Sequence, residues 1–140
     1  MKSSHMKIYF VWFVSFCATV GSLFFSEVME FPPCVLCWYQ RIAMYPLVLI
    51  FFIGKDHDLI ESVRYSAPLV FIGWLISLYH NLLHYEIVPE TASPCREGVS
   101  CSTVYIELFD FLTIPMMSLI AFSIIGILLL LIKREIKNEK

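Results

Sequence analysis

The second apolar run of this chain opens with Pro33-Cys34-Val35-Leu36-Cys37-Trp38-Tyr39-Gln40-Arg41 and continues to about Gly54. Pro33 suits the first turn of a helix, where a missing N–H costs little. Cys34 and Cys37 then fall in the opening turn, where the positive end of the helix dipole favours a thiolate. Arg41 lies one turn beyond Cys37 and shares a face with both cysteines, so its charge favours the thiolate as well. The stretch therefore predicts a helix that begins with redox chemistry.

A Cys-X-X-Cys pair also has less specific uses. It occurs as half of a zinc site, or as two small buried residues in an apolar helix. A zinc site requires two further ligands at compatible spacing, and the sequence has no second Cys-X-X-Cys or His pair close to the first. The motif alone leaves these alternatives open, and the remaining cysteines have to decide between them.

The composition places the chain in a membrane. Of its 140 residues, 59% are hydrophobic and only 16% are charged. A water-soluble domain of this length could not bury so much apolar surface. The charges are gathered in short segments, and the apolar runs between them are about 20 residues long, enough to span a bilayer. The net charge of -2 says little about partners, and no basic patch indicates nucleic acid.

We predict an all-α integral membrane protein, a single four-helix bundle with spans at about 8–26, 34–54, 65–85 and 112–132. The segment 1–7 is polar, and Ser3-Ser4-His5-Met6 resembles an expression-vector remnant, so we expect the native chain to start at Met6. The longest polar segment, 86–111, forms a redox loop. Near its end, apolar residues recur at helical spacing: Tyr105, Leu108, Phe109 and Leu112. This pattern predicts a short interfacial helix in the second extracellular loop.

The distribution of Lys and Arg predicts the orientation. One side consists of the N-terminus, the 55–64 loop and the C-terminal tail, and it holds Lys2, Lys7, Lys55, Arg64, Lys133, Arg134, Lys137 and Lys140. The opposite loops hold Arg96, and Arg41 belongs to the head of a helix. Both termini are therefore predicted to be cytoplasmic, in a multi-pass protein of the cell membrane. Four cysteines then lie on the outward side: Cys34, Cys37, Cys95 and Cys101. The outside is where disulfides form and persist.

Cys95 and Cys101 bracket five residues in a loop that contains glycine and proline. An ordinary stabilising disulfide is the usual fate of such an extracellular pair. However, the ring that it closes is small, so the entropic stabilisation is modest. An outside thiolate can also reach a disulfide in such a loop easily. Two outward pairs therefore indicate a relay, whereas the lone Cys17 is predicted to be a small buried side chain without chemistry.

The chain resembles the DsbB family of quinone-dependent disulfide-forming membrane proteins. Three features carry the resemblance: Cys-Val-Leu-Cys followed by Tyr39-Gln40-Arg41, the later outward cysteine pair, and Phe111-Leu112-Thr113-Ile114-Pro115-Met116. The short chain and the five-residue spacing of the later pair are most similar to the BdbC branch from Gram-positive bacteria. The resemblance implies a four-helix bundle with both termini inside. It departs at Gln40, where nearby family members often have an acidic residue, and we assign no proton role to Gln40.

The resemblance also implies a role for each cysteine. Cys95 and Cys101 would carry the disulfide that is given to a reduced extracytoplasmic thioredoxin-like thiol oxidase, with Cys95 as the sulfur attacked. Cys101 would exchange with Cys34, and Cys37 would be the thiolate that passes electrons to a bound quinone. A Gram-positive source favours menaquinone over ubiquinone. Arg41 matches the family arginine at the quinone, where it can stabilise both the Cys37 thiolate and negative charge on a quinone oxygen.

Two histidines, His80 and His84, lie one turn apart near the outer end of the third run. Because a histidine within a membrane span is costly, we predict that His80 is a quinone or proton contact, and we give His84 less weight. A competing hypothesis is a metal-binding or structural membrane protein with the ligands Cys34, Cys37, His80 and His84. It leaves Arg41 and the second cysteine pair without a role, so we predict no metal site.

Overall fold

A computed structural model describes residues 2–95, 98, 100–101 and 113–138, and these residues form four long helices. The helices are α1 (Lys2–Leu23), which continues into a π-helical turn (Phe24–Val28), α2 (Val35–Gly54), α3 (Leu59–His84) and α4 (Ile114–Asn138). A short 3₁₀ turn, Glu90–Ala92, follows α3. Within the described ranges there is no β-strand, so the predicted all-α class is confirmed. The predicted interfacial helix of Tyr105, Leu108, Phe109 and Leu112 lies outside the described residues.

All four helices are long and apolar enough to cross a membrane. Large apolar side chains are exposed along their outer faces, among them Phe10, Phe13, Ile42, Leu49, Phe71 and Leu130. In water such a surface would be costly, whereas in a bilayer it faces acyl chains while each helix satisfies its own backbone groups. The chain is therefore a multi-pass membrane protein.

The third helix is longer than the apolar run that predicted it. It begins at Leu59, inside the segment 55–64 that the charge pattern assigned to a loop. In this first part of α3, Glu61 and Arg64 are exposed, while Val63 and Ser66 are buried. The segment is thus an amphipathic extension of the helix, which a count of charged residues does not reveal.

The bundle is closed, because each helix packs against its neighbour in the chain and α4 returns against α1. The core between the helices is apolar: Ile8, Val11, Ala43, Met44, Leu47, Phe51, Val63, Val70, Phe122, Ile125, Leu129 and Ile132. Gly73 allows α3 and α4 to approach closely, since a Cβ at this position would lie 2.3 Å from the ring of Phe122. Any larger residue at Gly73 would push the two helices apart.

The two ends of the bundle differ in chemistry. At one end the start of α1 meets the end of α4, where Ser4 Oγ donates a hydrogen bond of 2.7 Å to Glu135 and Lys7 forms an ion pair with the same carboxylate. Both termini therefore lie at this end. At the other end a second cluster of buried residues contains Cys34, Leu36, Leu83, Cys95 and Cys101. The topology thus gathers two cysteine pairs at the end opposite to the termini.

Candidate redox site

Cys34 is the N-cap residue of α2. Its backbone is extended, with φ -71° and ψ 170°, and its Sγ accepts a hydrogen bond of 3.4 Å from the backbone N–H of Cys37. The helix begins at Val35, so Pro33 precedes the cap instead of lying in the first turn. An N-cap position brings the unpaired N–H groups of the helix start towards the side chain, and these groups stabilise a negative charge on it. The local backbone therefore favours a thiolate at Cys34.

Two side chains strengthen this preference. The Sγ atoms of Cys34 and Cys37 are 3.0 Å apart, and Nε2 of His80 lies 3.8 Å from Cys34 Sγ. The hydrogen bond with Cys37 is the main reason that the pKa of Cys34 is lowered to about 4, burial acts in the opposite direction, and His80 adds to the lowering. These contacts favour the thiolate form at Cys34, whereas the resemblance implied the thiolate at Cys37.

The loop pair lies directly against this thiolate. Cys95 and Cys101 form a disulfide, and both residues are buried. The Sγ atom of Cys34 is within 4.8 Å of both loop sulfurs. The carbonyl oxygen of Cys101 is also 3.2 Å from Nε2 of His80, which ties the loop to α3. The structure thus brings the four cysteines of the predicted site together.

A cavity of about 570 Å³ opens beside Cys37. Its walls come mainly from α1, α2 and α4, and they are largely apolar, with Phe13, Ala18, Phe25, Tyr45, Ile120 and Phe122 among the lining residues. Its polar lining includes Cys37, Gln40 and Arg41, which share one face near the start of α2, and His80 from α3. The volume is within the range of ligand sites that enclose a small organic molecule.

Arg41 lines this cavity, but its hydrogen bonds go to α1. Among the contacts of the described residues, Nε donates to Ser22 Oγ at 2.9 Å and Nη2 donates to the Ser22 carbonyl oxygen at 3.0 Å. The guanidinium carbon lies 5.4 Å from the centre of the Trp38 ring. Sequence reasoning missed Ser22, because no spacing rule relates residues on two different helices. Its position on a helix that flanks the motif is the only signal that the sequence offers.

Other predicted residues have mixed outcomes. His80 is buried, at 2% exposure, where α2, α3 and the loop meet. His84 does not join the site, and its Nδ1 has no hydrogen-bond partner in the part of the chain that the structure describes. The prediction that Cys17 is buried is wrong, since Cys17 is exposed and lines the cavity. Hydropathy places a residue at a depth in the membrane and does not say which way it faces.

Three of the four ligands of the competing metal hypothesis lie close together. Ligand atoms of Cys34, Cys37 and His80 all lie within 4.8 Å of one another, close enough to hold an ion, without His84. A second group, Cys34 with Cys95 and Cys101, contains the disulfide, and bonded sulfurs are not thiolate ligands. The arrangement suits thiol–disulfide exchange better, because a thiolate faces a disulfide.

A buried cysteine at a helix N-terminus that faces a disulfide, at one end of a bundle of membrane-spanning helices, is typical of the membrane-embedded thiol–disulfide oxidoreductases. Comparison with known proteins narrows the class. Residues 5–132 match the family model described as "Disulfide bond formation protein DsbB". The chain belongs to this family, and the resemblance noted from the sequence is confirmed.

Curated relatives match along nearly their whole length. "Disulfide bond formation protein C" of Bacillus subtilis is 45% identical, over 99% of this chain and 100% of the relative. "Probable disulfide formation protein" of Oceanobacillus iheyensis is 43% identical, over 96% of this chain and 93% of the relative. No solved structure matches the chain significantly. The family and these relatives identify the chain as a disulfide-generating membrane protein.

Proposed function

We propose that this protein is a thiol:quinone oxidoreductase that reoxidises an extracytoplasmic thioredoxin-like thiol oxidase and passes the electrons to a membrane quinone. One observation carries the proposal. Cys34 Sγ lies within 4.8 Å of both sulfurs of the loop disulfide and 3.0 Å from Cys37 Sγ, and Cys37 lines the apolar cavity. The sulfur atoms therefore form a continuous path from the loop to the cavity.

The partner oxidase enters the cycle at the loop disulfide. A thiolate of the partner attacks Cys95, forms a mixed disulfide with it and releases Cys101 as a thiolate. The second thiolate of the partner then displaces Cys95, which leaves the partner oxidised and Cys95 as a thiolate. Two electrons have passed from the partner to this chain.

Cys34 and Cys37 receive these electrons. When they are joined in a disulfide, the Cys101 thiolate attacks Cys34 and releases Cys37. Cys95 then attacks Cys101, which restores the loop disulfide and releases Cys34. Cys34 is a good leaving group because its pKa is about 4.

The residues around the cavity fit a quinone. The apolar walls suit a ring with an isoprenoid tail, and Arg41 provides a fixed positive charge at the edge where Cys37 lies. A bound quinone supplies an acceptor for two electrons and two protons while Cys34 and Cys37 rejoin as a disulfide. Arg41, held by Ser22, stabilises negative charge at this edge. We favour menaquinone over ubiquinone, since the similar relatives come from Gram-positive Bacillus and Oceanobacillus.

The proposal requires the cysteine end to face outward in the cell membrane, with both termini in the cytoplasm. The Lys and Arg distribution supports this orientation. A reporter fused to the C-terminus should be cytoplasmic, and a membrane-impermeant thiol reagent should label reduced Cys95 or Cys101 only from outside. Labelling of this loop solely from inside would contradict the orientation and the extracytoplasmic role together.

Two measurements test the function itself. Quinone reduction by a reduced thioredoxin-like oxidase should depend on the purified protein in lipid. The competing function, metal binding, is favoured by the closeness of Cys34, Cys37 and His80. Metal analysis alongside a thiol count separates the two, because the relay predicts free, alkylatable Cys34 and Cys37 without a stoichiometric metal.

A further inference from the structure

Gln40 and His80 form a buried contact between α2 and α3, next to the cysteines. Nε2 of Gln40 lies 3.2 Å from Nδ1 of His80, and the two residues are 7% and 2% exposed. The relay described above gives Gln40 no role. Its contact with a ring nitrogen nevertheless determines where the imidazole can carry its proton.

The carbonyl group of Cys101 defines the state of the other ring nitrogen. His80 Nε2 is 3.2 Å from this oxygen, and a carbonyl oxygen can only accept, so Nε2 carries a hydrogen. In a neutral ring Nδ1 is then an acceptor, and the amide group of Gln40 donates to it. Contacts on opposite sides of the ring thus specify the same tautomer. The Nε2–H of this tautomer also lies 3.8 Å from Cys34 Sγ.

We propose that Gln40 is a positioning residue that holds neutral His80 in its Nε2-protonated form, so that the N–H is directed at Cys34 and at the Cys101 carbonyl group. The consequence for turnover rests on the proposed function. The N–H stabilises negative charge on Cys34 when this sulfur leaves Cys101, and it keeps the loop beside Cys34. His80, which also lines the cavity, then serves the exchange between the cysteines.

The contacts of the ring agree with a hydrogen on Nε2 and an acceptor at Nδ1. From α2 it faces Cys34 and Gln40, and from the loop it faces the Cys101 carbonyl group. Arg41 follows Gln40 but is bonded to Ser22 on α1. Within the described residues, no carboxylate forms an ion pair with His80. Gln40 can donate to Nδ1, whereas a carboxylate at this position could only accept and would demand a second proton on the ring.

The test measures the tautomer directly by ¹⁵N NMR of histidine-labelled protein in lipid. The wild type should show neutral His80 with the proton on Nε2 near neutral pH. Gln40→Glu, which keeps the shape of the side chain, should give a ring with both nitrogens protonated. Gln40→Leu should lose the preference for one tautomer. Asn81→Leu is the matched control, because Asn81 is a neighbouring buried amide that donates to the carbonyl groups of Ser77 and Pro115.

A second readout is the alkylation rate of Cys34 at about pH 4, close to its pKa, resolved by mass spectrometry. Gln40→Leu should lower this rate about threefold to tenfold, since part of the thiolate stabilisation is lost, while Asn81→Leu should leave it unchanged. A wild-type proton on Nδ1, or a Gln40→Leu protein with an unchanged tautomer and unchanged rate, would overturn the inference. Quinone turnover distinguishes the two proposals. A tautomer that follows Gln40 in a protein that reduces no quinone would refute only the proposed function.

Discussion

The two cysteine pairs lie side by side, yet their surroundings differ. Cys34 is at the start of a helix, accepts a backbone N–H and faces His80, whereas Cys95 and Cys101 lie in a loop and are bonded to each other. The helix start stabilises a thiolate, which makes Cys34 a ready leaving group. Cys95 and Cys101 are joined in a disulfide instead. Under the proposed function, the same residue type thus has two redox roles that differ with its backbone position.

The largest effect should come from removing the loop pair. Cys95→Ala should lower turnover with the protein partner more than about 100-fold, because the sulfur that exchanges with the partner is gone. Quinone reduction driven by a small dithiol should persist, since Cys34 and Cys37 remain. Glu61→Gln, at the opposite end of the bundle, is the control. Full partner turnover in Cys95→Ala would mean that the loop disulfide is only structural.

Substitutions of Arg41 test the cysteine pair of α2, on the side where Cys37 lines the cavity. Arg41→Met should raise the apparent KM for quinone about tenfold or more, because a charge that stabilises the acceptor is lost. Arg41→Lys should be less impaired, since it keeps the charge but loses the two-pronged contact with Ser22. Stopped-flow quinone reduction measures both. Exchange between partner and loop should be unaffected, and unchanged quinone kinetics in Arg41→Met would reduce the arginine to an interfacial anchor.

The pH dependence of Cys34 sharpens the comparison of the two pairs. Because the pKa of Cys34 is lowered from 9.0 to about 4, its alkylation rate should be nearly constant above about pH 6 and should fall as the pH drops through about 4. Site-resolved alkylation against pH checks this. His80→Ala should move the midpoint upwards, since a hydrogen bond to the thiolate is lost. A wild-type midpoint near 9.0 would contradict the assignment of Cys34 as the thiolate.

The smallest effect should come from removing the hydrogen bond that Ser93 makes to the backbone of Cys95. Ser93 Oγ accepts a hydrogen bond of 3.3 Å from the backbone N–H of Cys95 and is buried. Ser93→Ala should change the rate of loop reduction by the partner only about twofold, because a single neutral hydrogen bond in a turn is weak. Rapid-quench trapping of the mixed disulfide measures the rate. A change of about a hundredfold would show that the loop geometry, and not the helix terminus, controls exchange.

The sequence predicted the fold class, because hydropathy and charge placement report directly on membrane spans. It also predicted that Cys34 and Cys37 lie at a helix start, since Pro33 and the apolar run after it mark that boundary. It could not predict which residues of different helices meet. The contacts of Arg41 with Ser22 and of Gln40 with His80 depend on helix rotation, which a membrane span leaves undetermined because lipid accepts any apolar face.

The length of α3 and the orientation of Cys17 were missed for a related reason. The segment 59–64 contains charged residues, so its low hydropathy assigned it to a loop. Val63 within it and Ser66 just beyond it are nevertheless buried. Cys17 has the depth of a buried residue but lies at the cavity wall. Both errors arise because hydropathy averaged along the sequence does not tell which side chains of a helix point into the bundle.

The most direct test of the account is the stoichiometry of electron transfer in lipid nanodiscs that contain a menaquinone analogue. Reduced thioredoxin-like oxidase is added without oxygen, and quinone reduction and oxidase disulfide are measured together. The account predicts one quinone reduced for each disulfide formed, and loss of both in Cys37→Ser. Disulfide formation without quinone reduction, or equal quinone reduction by Cys37→Ser, would contradict it.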